Sequence, residues 1–253
     1  GLGDVYKRQF YNIISNKRKE VVKLLVFEYK LRVRLLKSFE YVKASEAVSY
    51  FLDSALGKEE DFLKLHERRE YKYYTMDSFY PCEKDGIYKQ GKIYAIRIRT
   101  VKQELAEYFS RMLIHHTSGE MEGLTGELRI IPKKQLERVY SLTPVIIKTE
   151  KGYWREHMSV PEFEDRIKIN LIKKYNQFNH TKIEENFQLY NLIEFKNKVP
   201  VKVPYKNITL LGDKINLIAS NDPMAQELLY FSLGTGFGEN NGRGAGFMNY
   251  QYI

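Results

Sequence analysis

The sequence predicts an α+β protein made of two ferredoxin-like (RRM-like) domains in tandem, each an antiparallel sheet with two helices on one face. Three observations carry that expectation. Apolar residues alternate in strand-length runs, they recur at helical spacing between those runs, and the order strand, helix, strand, strand, helix, strand is completed twice.

In the first half, KLRVRLLKSF (30–39) reads as a strand that alternates before becoming an apolar run. A helix starts after Ser45, with Ala47, Val48, Phe51, Leu52 and Leu56 at helical spacing. A second short helix, Lys58 to Arg69, puts Phe62, Leu63 and His66 on neighbouring turns. Strands over Tyr73–Tyr80 and Lys92–Thr100, a helix over Lys102–Ile114 and a strand over Leu124–Ile131 complete the unit. In the second half, PVIIKT (144–149) is the first strand, and a long helix follows over Pro161–Phe178, its Pro suited to a first turn. Strands over Phe187–Lys196 and Val201–Ala219, the latter broken at Gly212-Asp213, lead to a helix over Asp222–Leu233 and a last strand over Ala245–Tyr252. The boundary falls near Tyr140, giving domains over 30–139 and 140–253. Residues 1–29, whose first nine (GLGDVYKRQ) fit no later pattern, are set apart as a leader outside the fold.

Composition narrows the function. The chain has 253 residues and is 43% hydrophobic, enough to bury a core. Lys and Arg number 41 against 32 Asp and Glu, and the net charge of +9 favours polyanions, nucleic acid before membrane surface. The 20 Tyr suit stacking on bases beside cations, although strands hold most such rings for packing. The single Cys82 excludes an internal disulfide framework and a multi-thiolate zinc site, and it fits a reducing cytoplasm. No apolar run approaches the ~20 residues of a membrane helix, so no membrane partner is expected. There is no HExxH, no EF-hand loop and no carboxylate cluster with ligand spacing, and neither metal nor cofactor is expected. His115 and His116 are adjacent, and on a helix they point about 100° apart, too far to chelate one ion readily. His157 and His180 read as structural or solvated.

The most specific local signal is LGTGFGENNGRGAGF (233–247), with glycines at 234, 236, 238, 242, 244 and 246. So many glycines beside a helix end call for positive φ or close approach, and exposed amides there would suit phosphate oxygens. A dinucleotide fingerprint fails at Asn241, where a third Gly is required, and a phosphate-binding loop fails for want of Lys-Ser or Lys-Thr. The octapeptide Arg243–Tyr250 approaches an RNA-recognition signature but departs at Ala245 and Met248. RNA contacts are expected from this loop with Arg243, from Arg97 and Arg99 on one strand face, from Arg129 on the neighbouring strand, and from Lys133 and Lys134.

Gly236-Phe237-Gly238-Glu239, then Asn241, Gly244 and Gly246, resemble the C-terminal glycine-rich loop of the CRISPR-associated repeat-processing endoribonucleases of the repeat-associated mysterious protein superfamily. Ser141-Leu142-Thr143-Pro144-Val145 is similar to the start of that family's second domain, and the resemblance runs from about Lys30 to Ile253. It implies tandem ferredoxin-like domains and a catalytic His shortly after the first helix, with a Lys six positions later. His66 and Lys72 stand in that arrangement. It also implies a Tyr within the first helix. Tyr50 is the candidate, although the register could put Phe51 there. The implied reaction is metal-independent cleavage of CRISPR repeat RNA in precursor transcripts by the RNA's own 2′-hydroxyl. The implied partners are precursor RNA, mature guide RNA, an RNA-guided effector complex and a second copy of the chain as a homodimer.

Two other classes compete. A non-catalytic relative would hold guide RNA in a larger complex without cutting it. A tandem ferredoxin-like protein of small-molecule metabolism is disfavoured by the basic charge and the missing cofactor motifs.

Overall fold

The structure is a computed structural model that describes residues 23–60, 62, 64, 70–205 and 208–253. The first sheet consists of β1 (Val26–Leu35), β3 (Tyr74–Met76), β5 (Ile93–Thr100) and β6 (Met121–Ile131), in the order β3-β5-β1-β6 with every pairing antiparallel. Two helices, α1 (Ala44–Leu56) and α2 (Gln103–Met112), pack on one face through Val48, Phe51, Leu52, Leu105 and Phe109. A small ladder of β2 (Phe39–Glu40) and β4 (Ile87–Tyr88) lies beside this unit. In the second sheet, β7 (Leu136–Ser141), β8 (Tyr190–Phe195), β11 (Ile215–Ala219) and β12 (Met248–Tyr252) lie in the order β12-β7-β11-β8, covered by α3 (Val160–Asn179) and α4 (Pro223–Thr235). Both halves thus repeat the ferredoxin-like order. The hairpin β9 (Val201–Tyr205) with β10 (Ile208–Gly212) is an insertion between β8 and β11.

Local chemistry explains the second-half helices. Ser159 accepts from the Glu162 amide while Glu162 accepts from Ser159, a capping box ahead of Pro161. Asp222 accepts from the amides of Met224 and Ala225 and starts α4 at Pro223. Helix α4 is apolar nearly all round, so it must be buried, and it lies between the two halves. Its Tyr230 hydroxyl donates to the Ile131 carbonyl at 2.7 Å and accepts from the Val26 amide at 3.1 Å. A Cβ at Gly234 would stand 2.8 Å from Val101, so the helix reaches the first sheet only without a side chain there.

Several expected boundaries move. The first strand begins at Val26 rather than Lys30, and Val26, Phe27 and Tyr29 are buried, so the end of the expected leader belongs to the sheet. The strand expected at 144–149 is a connection that makes only isolated bridges, Val145 with Asp213 and Ile146 with Glu239. Its apolar run is buried, as a strand's would be, but the strand that pairs in the sheet is β7. The expected boundary at 139/140 therefore falls inside β7. The single broken strand over 201–219 is three strands. The second short helix, Lys58 to Arg69, lies largely outside the described residues.

Candidate functional site

The site is built by the connection 144–149, the glycine-rich loop, the segment 70–74 and α1. Asp213 anchors the connection: its backbone pairs with that of Val145, and its buried carboxylate accepts from Tyr153, Trp154 Nε1 at 2.7 Å, Arg155 and Asn197. The connection in turn holds the loop, with the Glu239 amide donating to Ile146 and the Gly246 amide to Pro144. At Gly238 and Gly246 φ is 68° and 65°. A Cβ would meet the Ile146 carbonyl at 2.6 Å from Gly238 and the Phe237 carbonyl at 1.9 Å from Gly246, so glycine is required at both.

Gly236, Gly244 and Gly246 are buried and structural, and most loop amides are spent internally. Of the amides expected to suit phosphate oxygens, only a minority are left for a ligand. The exceptions are the amides of Gly238, Asn240, Asn241 and Gly242, which find no acceptor among the described residues and belong to residues that line the cleft. Inside the loop, Asn241 Nδ2 donates to Phe237 and Ala245, while its Oδ1 accepts from Lys174 at 2.6 Å. The rim residue Arg243 reaches across to α1, bonding Ser49 at 2.6 Å and pairing with Asp53.

A cleft of about 620 Å³ opens between these elements, lined by Lys72, Tyr71, Lys148, Tyr205, Asn240 and Arg243 among others. On the far side of the Arg243–Asp53 pair lies a second cleft of about 690 Å³, lined by Tyr50, Lys43 and again Tyr205. The two share Asp53, Tyr205 and Arg243 and form one groove. Burial pulls the Lys72 ammonium below the usual lysine range and Arg243 adds to this, while Asp53 and Glu70 resist it.

The expected site residues separate into groups. Lys72, Gly238, Asn241 and Arg243 line the first cleft, and Tyr50, half-exposed on α1, lines the second. Phe51 is fully buried with its ring 4.8 Å from His116. His66 lies outside the described residues. Arg97, Arg99 and Arg129 are elsewhere, and Arg99 is a correction: it is 1% exposed. Its Nε binds Glu28 at 2.6 Å, another nitrogen binds the Met248 carbonyl, and its guanidinium lies 4.4 Å from the Phe247 ring centre. The C-terminal strand covers the basic sheet face there, so Arg99 glues the halves together instead of facing RNA. Arg129 shares Glu28, and Arg97 pairs with Asp77. Burial opposes the Glu28 carboxylate, yet the two arginines outweigh it and hold its pKa below the usual range. Lys133 pairs with Glu227, and Lys134 sits over the Tyr252 ring. No group of three or more His, Cys, Asp or Glu among the described residues could hold a metal ion.

Sequence reasoning missed Lys148, Tyr205, Asp53 and Lys174. Lys174 carried a signal: it occupies the buried stripe Ile167, Leu171, Lys174, Phe178, where an apolar residue belongs. Tyr205 carried none, because its place over the groove depends on an inserted hairpin.

Residues 131–250 match the family "CRISPR associated protein Cas6, C-terminal". No curated protein matches the chain in sequence. Among solved structures, the fold is similar to a CRISPR associated protein Cas6 at 20% identity, TM-score 0.66, covering 89% of this chain and 99% of that one. It is also similar to a RAMP protein described as binding different RNA substrates (17% identity, TM-score 0.64, 89% and 99%). A third is a Cas6-related protein of Pyrococcus furiosus (17% identity, TM-score 0.63, 89% and 98%). The C-terminal half therefore matches the Cas6 C-terminal family model, and the tandem fold is shared with solved Cas6 structures.

Proposed function

We propose that the chain is an endoribonuclease that cuts CRISPR repeat RNA in precursor transcripts without a metal ion. The observation that carries this reading is the convergence of Lys72 and Arg243 on one cleft, with His66 six positions before Lys72 in the sequence. The RNA's 2′-oxygen attacks the adjacent phosphorus, the bond from phosphorus to the 5′-oxygen breaks, and the products are a 2′,3′-cyclic phosphate and a 5′-hydroxyl. One proton leaves the 2′-hydroxyl and one reaches the 5′-oxygen. A histidine side chain can take either transfer near neutral pH, and His66 is the candidate. The Lys72 ammonium stabilises the extra charge on the phosphorane. Tyr50 orients the substrate from the adjoining cleft; its neighbour Phe51 is in the core and cannot reach it. Arg243 and the loop rim hold the phosphates, and Tyr205 offers a ring for a base. Arg97, Arg129, Lys133 and Lys134 serve flanking RNA. Relatives support the reading: one similar structure is a Cas6 product complex, and another is named for binding different RNA substrates.

A second reading, a non-cutting relative that holds guide RNA, draws on one observation: Arg243 is already neutralised by Asp53. A similar structure is named as part of a Cas6-RT-Cas1–Cas2 complex. Incubation of the purified chain with repeat RNA in excess EDTA, followed by mapping of the new ends, separates the two. Cyclic phosphate and 5′-hydroxyl ends establish the enzyme. Tight binding with intact RNA moves the conclusion to the holder, and 3′-hydroxyl with 5′-phosphate ends refute the chemistry.

A further inference from the structure

Lys174 is the one buried lysine among the described residues, and its surroundings are unusual for an ammonium. Helix α3 carries it inward on an apolar stripe, and its Nζ ends under the glycine-rich loop. There it donates to the Gly236 carbonyl at 3.2 Å, the Gly238 carbonyl at 2.7 Å and Asn241 Oδ1 at 2.6 Å. Three N–H donors meet three oxygens, so the ammonium is fully used. The Gly236 and Gly238 backbones have φ of 78° and 68°, a conformation that leaves both carbonyls aimed at the same point. The Asn241 amide is held by the same contact. Because its oxygen faces Lys174, its nitrogen must donate to Phe237 and Ala245, which ties the two ends of the loop together.

We propose that Lys174 is the positioning residue of the glycine-rich loop, and that loss of its proton loosens the rim on which Asn240 and Arg243 face the groove. A neutral amine has two N–H groups and a lone pair, so one of the three oxygens would lose its donor and face a lone pair instead. The link from Lys174 to substrate runs through the loop, and for its effect on RNA the inference rests on the endoribonuclease reading.

The proton is within reach of physiological pH. Burial brings the Lys174 pKa down to about 7, with Glu239 pulling the other way. The three oxygens around the ammonium also resist its loss. From the loop, Glu239 stands 3.7 Å from Arg166, and Arg243 is paired with Asp53 of α1. The segment 70–74 brings Glu70, Lys72 and the Tyr71 ring, whose centre is 5.9 Å from Nζ, and the connection brings Lys148. Lys72 and Lys148 favour loss of the proton, whereas Glu70 and Asp53 favour its retention. RNA phosphates in the cleft add negative charge to the second group, so RNA binding and protonation reinforce one another.

The test is an NMR titration of the full chain, labelled at lysine ¹³Cε and on backbone amides, from about pH 6 to about pH 10. One lysine signal, absent from the Lys174→Met spectrum, titrates at least about two pH units below the others, and amides of residues 236–246 move with the same midpoint. RNA affinity of the wild type falls through that midpoint, whereas Lys174→Gln binds more weakly at low pH and shows no such limb. Loop amides that stay fixed across the range overturn the proposal. So does a Lys174→Met protein whose loop amides and RNA affinity match the wild type. The titration needs no RNA, so a chain that fails to cut leaves this readout standing, and the two ideas fail separately. A melting curve for each variant identifies global unfolding, in which case the wild-type titration alone decides.

Discussion

Replacing Arg99 with Met separates the roles of glue and RNA contact. The substitution keeps an unbranched stem of similar reach to Nε but removes the 2.6 Å ion pair with Glu28, the bond to the Met248 carbonyl and the stacking on Phe247. Removing one partner of a buried pair costs about 3–5 kcal/mol, much of it from the stranded charge. Here Arg129 still binds Glu28 at 2.6 Å from the exposed side, which keeps the cost near the lower end, roughly 3 kcal/mol. For a chain of this length each kcal/mol lowers the melting temperature by about 2–4 °C, so Arg99→Met melts about 6–12 °C below the wild type. The RNA-side readout is the slope of log affinity against log salt. A lost phosphate contact would flatten that slope by about one unit. Arg99→Met, measured well below its melting point, should leave it unchanged. A flattened slope with an unchanged melting temperature would refute the assignment of Arg99 to the interface.

Three further outcomes follow from the same geometry. Gly246→Ala forces a Cβ to within 1.9 Å of the Phe237 carbonyl at a positive φ, so it should break the loop and weaken RNA binding. Binding at the wild-type level would show that the loop accepts the side chain. His116 is buried with Nε2 2.8 Å from Ser54 Oγ, and burial, helped by Lys58, holds its pKa below the usual 6.5 against the Phe51 backbone. The folded protein therefore resists a proton that the unfolded chain accepts, so stability is full above 6.5 and declines as pH falls towards the lowered value. His116→Phe should lose that part of the acid sensitivity, and a difference from wild type that is independent of pH would contradict the linkage. Tyr50→Phe should slow cleavage while RNA affinity and melting temperature hold, whereas Phe51→Ala should cost about 3–5 kcal/mol of stability. A fall in rate confined to properly folded Phe51 variants would reverse the choice between the two residues.

The fold was legible because its signals are local. Alternation in Ile93–Thr100, the capping residues Ser159 and Asp222 and the helical spacing between the strands are all written in short windows. Pairing was not. The run PVIIKT reads as strand-forming, but it is LERVYS, not read as a strand, that pairs with β11 and β12. The glycine-rich loop was recognisable by composition, yet its amides proved mostly internal because carbonyls of residues 144–146 and of the adjoining helix and loop backbone accept them. Arg97 and Arg99 do share a strand, but Arg129 is not on its neighbour: β1 lies between them, with Glu28 opposite both Arg99 and Arg129. What the sequence could not show is the strand from the other half that covers that face and the carboxylates that neutralise them. Lys72 could be named only through the family resemblance, whereas its cleft depends on Asp53, Lys148 and Tyr205, drawn from three distant segments.

The most direct test of the central claim is single-turnover cleavage of repeat RNA in excess EDTA by the intact protein and by His66→Ala, with binding measured alongside. Cutting by the wild type, together with a near-complete loss in His66→Ala at unchanged affinity, is the predicted result. Equal cutting by both proteins would contradict the assignment of proton transfer to His66, and no cutting by either would contradict the enzyme itself.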